Sequence, residues 1–424
     1  MDGSAPEADR PRAESGAWPV IVVGAGAAGL LAAIFAARAG LRVAILETRP
    51  TPGAKIRVSG GGRCNVLPSR VSLDDFATSG SRNTLRNVLF SWPLEDVRRF
   101  FEEELRLPLK VEPTGKVFPV SDSARDVIAA LLGECARVGV EVLGGRRVTR
   151  VEPAVTTQGP GFVVETDSRE RFESRRLVLS TGGLSLPRTG SDGGGLAIAQ
   201  ALGHSVRALH PALVPLTTSA TGWKELAGLS LRAKLKAVES GSPRALEERE
   251  GDLLFTHRGF SGPVVLDLSR HVTSGSSGQI EIVAAWGGWD AARWDASLRS
   301  AGNRTVAAIA RDTLPRRLVE RLYSLAGVSE SRTTSELRRE DRRKLAETLG
   351  AFRLPVDGTE GYATAEVTGG GVPLEEVSPR TLESRIVPGL HLAGEMLDCV
   401  GRIGGYNFLW AWVTGRRAGE GAAG

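Results

Sequence analysis

Residues 20–47 read VIVVGAGAAGLLAAIFAARAGLRVAILE, and the rest of the 424-residue chain is organised around them. The run 20–23 has the length and β-branching of a strand buried on both faces. It passes directly into Gly24-x-Gly26-x-x-Gly29, then an alanine-rich helix to about Ala39, then a second strand over 43–46 that ends on Glu47. Gly24 permits the tight turn, Gly26 leaves room for a pyrophosphate against the backbone, and Gly29 lets helix and strand approach closely. Ala27 and Ala28 open the helix, whose free N–H groups and positive dipole end suit phosphates. Glu47, with Thr48 beside it, falls where an acid accepts hydrogen bonds from an adenosine ribose. Glycine spacing alone is weak evidence. With strand, helix, second strand and acid in register, the stretch reads as a dinucleotide site.

Length allows two or three domains with ample core. The net charge is +5, arginines outnumber lysines, and no basic block is interleaved with aromatics, so a nucleic-acid partner is not expected. The basic clusters Arg316-Arg317 and Arg342-Arg343-Lys344 sit among acids and read as a solvated helix face. Cys64, Cys135 and Cys399 are too widely spaced for a disulfide scaffold, which points to a reduced compartment. No metal site is expected. Residues 1–18 are polar, Pro/Ala-rich and acidic where a signal peptide is basic, and read as a disordered tail. Residues 19–37 are apolar enough to mimic a membrane span, but their glycines and strand–turn–helix pattern make them a buried βα unit. The expectation is a soluble cytoplasmic protein with no membrane contact.

Further along, residues 55–65 read KIRVSGGGRCN. Three glycines are costly to order unless backbone must pass close to something, so Lys55, Gly62, Arg63, Cys64 and Asn65 are assigned to a cofactor loop. An amphipathic helix opens at Pro93, with Val97, Phe100, Phe101 and Leu105 on one side. A helix over 124–138 leads to strands at 140–143 and 147–152, the latter carrying Val148 toward the cofactor. A hairpin is expected over 162–172, then a separate buried strand over 176–180 that ends in Thr181-Gly182-Gly183. From about residue 205 the character turns to β-rich segments at 213–218, 229–238 and 252–255. Residues 290–347 read as helical. The last seventy residues return to α/β sequence: EVTGGG at 366–371, a short strand over 389–394 followed by Glu395 and Asp398, and GRIGGYN at 401–407 opening a helix over 408–417.

Seven motifs in order carry a resemblance: GAGAAGLLAA, KIRVSGGGRCN, VFPVSD, LSTGGLSLPRTGSDGGGLAIAQALGH, LLFTHRGFSGP, EVTGGGVPLEEV and PGLHLAGEMLDCVGRIGGYNFLWAWVTG. From about residue 18 onward the chain resembles the bacterial FAD-dependent oxidoreductases grouped as BaiN-like or aminoacetone-oxidase-like flavoproteins. GGGRCN, FTHxGxSGP and GRIGGYNF are more specific than the Gly-rich turn. The resemblance implies an α/β fold with a glutathione-reductase-like, Rossmann-type FAD/NAD(P)-binding domain built from 19–204 and 352–424. An inserted β-barrel-like domain at 205–289 and a helical segment at 290–351 would interrupt it. Two departures stand out. The family has Val and Asp where this chain has Cys399 and Val400, and its STGDG stretch appears as Gly190-Ser-Asp192-Gly193.

The implied cofactor is non-covalent FAD. Its phosphates and ribityl chain would meet Thr181, Gly182, Gly183, Gly394, Glu395 and Asp398, with Lys55 and Arg63 near phosphate or substrate. Backbone N–H groups of Gly405, Tyr406 and Asn407, after Gly404 at the positive end of the last helix, would stabilise charge at the flavin N1–C2=O edge. His257, in THRGFSGP, is the natural proton carrier near neutral pH, with Tyr406 as another acid. A Cys64–Cys399 redox pair stays open, since no CxxxxC exists. A second GxGxxG after a strand is missing, so NAD(P)H, if used, binds transiently over the flavin. The expected activity is hydride transfer between flavin N5 and a small or medium organic substrate. An FAD-bound RNA-modifying protein and a non-catalytic redox sensor are the alternatives.

Overall fold

Continuous apolar runs, rather than alternating ones, form the central sheet of this computed structural model. It describes residues 17–242, 244–275, 279–300 and 302–424. The tail expected over 1–18 lies outside the described residues except for its last two, and Trp18 already belongs to the first strand. Five parallel strands stand in the order Glu141–Gly144, Val43–Glu47, Trp18–Val23, Arg171–Leu179, Leu390–Leu392. The register puts Val20 to Val23 opposite Val43 to Leu46 on one side and Arg176 to Leu179 on the other. Every residue from Val20 to Val23 is at most 4% exposed, as a strand covered on both faces requires. The sheet carries strands from both chain ends, so the domain closes only after the last seventy residues return.

One expected boundary is replaced. The second hairpin strand and the separate buried strand are a single element, Arg171–Leu179. Its first half alternates and pairs antiparallel with Gly159–Thr166, which pairs in turn with Val148–Thr156. Its second half is continuously apolar and pairs in parallel with the core strands. A change of neighbours partway along one strand changes its burial pattern, and so it reads as two.

The insert sheet takes both its edge strands from residues expected in the returning half of the FAD domain: seven antiparallel strands stand in the order Phe352–Arg353, Ile280–Trp286, Ser230–Glu239, Ala245–Phe255, Gly259–Ser261, Leu216–Thr217, Gly358–Thr359. The two edge strands are separated by only five steps of chain, which span at most about 18 Å. A flat sheet of this size would be roughly 29 Å across. The sheet is therefore strongly curved. Four helices, Ala291–Ser300, Val306–Arg311, Arg316–Ala326 and Arg339–Gly350, cover it and share its core around Trp286, Trp294 and Tyr323. Several arginines of these helices are held by acids at short range, as in Arg316–Glu320, Arg342–Asp295 and Arg343–Glu347, while Arg317 and Arg321 donate to the backbone carbonyls of Glu225 and Thr221. Among the described residues no helix is long and apolar enough to cross a membrane.

Helix Pro263–Thr273 fastens onto this sheet through Glu247, whose side chain is 8% exposed and is gripped by Arg249, Arg270 and His271. Burial alone would raise its carboxyl, but His271 and the arginines outweigh it and hold the pKa down to about 2. A depressed acid contributes stability above its unfolded value, and that contribution is lost as pH falls from about 4.5 toward 2. Glu247→Ala should cost roughly 2 kcal/mol at pH 7. It should also flatten the acid limb of the stability curve, as read by denaturant melts between pH 7 and 3. Parallel acid limbs would show that Glu247 is not the titrating anchor.

Candidate functional site

A cavity of about 530 Å3 opens where the two chain ends meet. One end is the opening motif. Gly24, Gly26, Ala27, Ala28, Glu47 and Thr48 all line it. Gly24 has φ 99°, so only glycine turns there without strain. A Cβ built on Gly26 meets nothing within 4 Å, whereas one on Gly29 would stand 1.8 Å from the Gly24 carbonyl oxygen. Gly26 faces room and Gly29 faces backbone. The buried Glu47 carboxylate accepts the N–H of Ala25 at 2.6 Å and of Arg49 at 2.8 Å. Burial still pushes its pKa up.

Midway along the wall, Thr181, Gly182, Gly394, Glu395 and Lys55 line the cavity. Lys55 Nζ bonds Glu395 Oε2 and Ser185 Oγ, each at 2.8 Å, and Ser191 Oγ at 3.3 Å. The other Glu395 oxygen accepts from Ser185 Oγ at 2.7 Å and Thr368 N–H at 2.9 Å. Burial opposes the charge on Glu395, but Lys55 and these donors prevail and its pKa falls. The result is a fixed cation–anion pair with its spare hydrogen-bonding capacity taken by hydroxyls. Gly183 stands behind this wall, its Cβ position 2.4 Å from Thr368 Oγ1. Ser185, Ser191 and Thr368 were not assigned from sequence, because isolated hydroxyl residues carry no spacing signal.

On the opposite side, Gly60, Gly61, Gly62 and Cys64 all have left-handed backbone, with φ 55°, 68°, 87° and 60°. Gly60, Gly61, Arg63 and Asn65 reach the cavity, while Gly62 and Cys64 do not. Arg63 lies 4.0 Å over the Phe118 ring and pairs with Glu112 at 2.6 Å. It is engaged by protein rather than aimed at a phosphate.

The far end is the start of helix Tyr406–Ala423, with Gly404, Gly405 and Asn407 in the wall. The Asn65 side-chain oxygen accepts the Gly405 N–H at 3.1 Å, its nitrogen donating to Leu67 and Val117 carbonyls. Gly405 is therefore not a donor to a ligand, contrary to expectation. The N–H groups of Tyr406 and Asn407 are the first that the helix leaves free among the described residues. The Asn407 side chain clasps Gly401, accepting its N–H at 2.8 Å and donating to its carbonyl at 2.9 Å.

Several expected contributors sit elsewhere. His257 is exposed in the turn between Ala245–Phe255 and Gly259–Ser261 and does not line the cavity. Its motif is architectural. Thr256 Oγ1 accepts the N–H groups of Arg258 and Gly259, and a Cβ on Gly259 or Gly262 would lie 2.2 or 2.5 Å from a neighbouring carbonyl oxygen. The Tyr406 ring is buried edge-on against Phe76 at 5.9 Å, behind the wall. Asp398 accepts from Ser79 and pairs with Arg207 at 3.3 Å, facing into protein. Val148 is buried in its strand and outside the lining. The three cysteines are free and buried, and of them Cys399 lies in the cavity wall. Burial pushes the Cys64 thiol up to about 12 and Cys399, beside Asp398, well up. A raised thiol pKa disfavours the thiolate that thiol–disulfide exchange uses. Lys116, Phe118, Thr364 and Glu366, unassigned from sequence, form the wall facing Gly404.

Strand order, glycine turn with its acid, and a helix start aimed into the same cavity define a Rossmann-type flavoprotein. The chain belongs to the family described as "HI0933-like protein Rossmann domain", which matches residues 18–421. It is 34% identical over 412 residues to a 3-dehydro-bile acid delta(4,6)-reductase of Clostridium scindens, covering 95% of this chain and 98% of that protein. It is also 34% identical over 398 residues to a ribosomal RNA dihydrouridine synthase of Escherichia coli K12, covering 94% and 96%. Among solved structures, a 3-ketosteroid-delta4-(5alpha)-dehydrogenase from Rhodococcus jostii RHA1 aligns with TM-score 0.47 at 17% identity, over 98% of this chain and 100% of that one.

Gly26 and Gly29 separate ligand binding from folding. Gly26→Val keeps an ordinary backbone, so the chain should fold with a melting temperature near wild type yet purify with FAD content lowered about tenfold or more. Gly29→Val drives a side chain into the Gly24 turn and should cost several kcal/mol or prevent folding. Absorbance near 450 nm per chain, with thermal melts, reads both; full flavin in Gly26→Val would refute the pyrophosphate assignment.

Proposed function

We propose that this protein is an FAD-dependent reductase acting on a carbon–carbon double bond conjugated to a carbonyl. The observation that carries the reading is the continuous cavity. It has the glycine turn and Glu47 at one end, the Lys55–Glu395 pair midway, and a helix start with a titratable wall at the other. The residues fit FAD: room at Gly26 for a pyrophosphate, Glu47 for the adenosine end, and the free N–H of Asn407 in the wall at the helix start for an electron-rich carbonyl edge. The chemistry that FAD supplies is hydride transfer at N5. The chain's part is to bind and orient, through the fixed Lys55–Glu395 network, and to hold developing negative charge with the positive end of helix Tyr406–Ala423.

The bond type follows from what the two relatives share. A delta(4,6)-reductase of a 3-dehydro bile acid and a dihydrouridine synthase both remove a double bond conjugated to a carbonyl, in very different molecules. That common chemistry supports the reaction class without selecting a substrate. The pairing of helical arginines with nearby acids favours a small molecule over an RNA phosphate track. NADH or NADPH is the proposed donor, binding transiently.

Anaerobic titration tests this. NADH or NADPH should bleach the 450 nm band, and a steroid 4,6-dien-3-one or 2-cyclohexenone should restore it in about equimolar amount. Restoration by a uridine-containing ribosomal RNA fragment alone would move the substrate to RNA. No restoration by any conjugated acceptor would defeat the reductase reading.

A further inference from the structure

Reduction of a conjugated double bond needs a proton as well as a hydride, and the expected carriers, His257 and Tyr406, both lie outside the cavity wall. Glu366 is an acid in that wall at the helix-start end. Its neighbours Ala365 and Val367 are 0% and 7% exposed, so the backbone is fixed on both sides while the Glu366 side chain projects into the opening. The backbone is further held by the Glu366 N–H, which donates to Leu213 at 3.2 Å. Among the described residues no hydrogen bond or ion pair reaches its carboxyl. Every other acid described in this site is already engaged: Glu47 by two backbone donors, Glu395 by Lys55, Asp398 by Ser79 and Arg207.

We propose that Glu366 is the proton-transfer group of this cavity, giving its carboxylic proton to the carbon α to the substrate carbonyl. This rests on the reductase reading above. The balance is complete. The carbon–carbon π bond breaks; one C–H bond forms at the β carbon with a hydride from a two-electron donor of the dihydroflavin class. The second forms at the α carbon with the Glu366 proton, and the carboxylate left behind is reprotonated by water entering the open cavity.

The charged groups facing Glu366 set its acidity. Although the side chain reaches solvent through the opening, the protein crowded around its carboxyl raises its pKa to about 7, Asp267 of helix Pro263–Thr273 adds to the rise, and Lys116 opposes it. Asp267 is itself tied to Arg402 at 3.2 Å and to the Ile403 N–H at 2.7 Å, and Arg402 also reaches Asp75 at 3.2 Å. A raised acid is protonated, and able to donate, below its folded value and loses that ability as pH rises through it. A donor matched to neutral pH is what general acid catalysis favours.

The test uses the full chain loaded with FAD, reduced anaerobically by light and EDTA, then mixed with a steroid 4,6-dien-3-one or 2-cyclohexenone. Glu366→Gln should keep flavin content, photoreduction and melting temperature, because no hydrogen bond is lost. Its re-oxidation by the probe should slow by about 100-fold or more. The wild-type rate should fall as pH rises past about 7, with Glu366→Gln pH-independent and Glu366→Asp partly restored. Re-oxidation of Glu366→Gln within about threefold of wild type would overturn the inference and leave the reductase reading standing. If neither probe re-oxidises wild type, the reductase reading fails, and infrared titration of the apoprotein still decides on Glu366. A protonated-carboxyl band lost near pH 7 in wild type and absent in Glu366→Gln keeps it as the cavity's proton carrier. The same band in both proteins overturns it.

Discussion

Gly415 and Gly419 let the last helix lie on the first with backbone against backbone. A Cβ at either would stand 2.3 Å from the Ala28 carbonyl oxygen or 2.2 Å from that of Ala32. The cavity depends on this approach. It fixes the start of helix Tyr406–Ala423 relative to the Gly24 turn, two segments nearly four hundred residues apart. Trp410 secures the same seam, its indole N–H donating to the Gly394 carbonyl at 3.1 Å, while Thr414 accepts the Gly394 N–H at 3.0 Å. A larger residue at either glycine would separate the helices, and the two ends of a bound dinucleotide would no longer meet one wall.

The same glycines explain where sequence reading fell short. In isolation, glycine lowers helix propensity, and the last helix was expected to stop at 417; it continues to Ala423. Packing overrides propensity because each glycine replaces a side chain with a whole helix. The opening motif was legible for the opposite reason. Its strand, turn, helix and acid are contiguous, so every constraint on Gly24, Gly26 and Glu47 falls within one short window. Lys55 and Glu395 were each picked out by their loops, but their pairing spans 340 positions, and nothing in either loop names the partner.

Glu366 shows the limit most clearly. In sequence it is an acid ahead of a glycine-rich strand, indistinguishable from a solvated loop charge. Its character comes from segments that only the fold brings to it: strand Lys116–Pro119 and helix Pro263–Thr273 of the insert. One local trace existed, since residues 361–374 are otherwise uncharged. His257 erred the other way. Its motif is distinctive, but the distinctiveness lies in Thr256, Gly259 and Gly262, which shape a crowded turn, and the histidine is carried along exposed.

This division assigns separate work to the two parts of the chain. The sheet domain supplies the glycine turn, the buried Glu47 carboxylate and the helix start. The insert contributes through Asp267, which accepts the Ile403 N–H and pairs with Arg402, so the loop leading into Gly404 is anchored by a residue from another core. The same carboxylate helps raise the pKa of Glu366. Binding geometry and proton supply thus meet at Asp267.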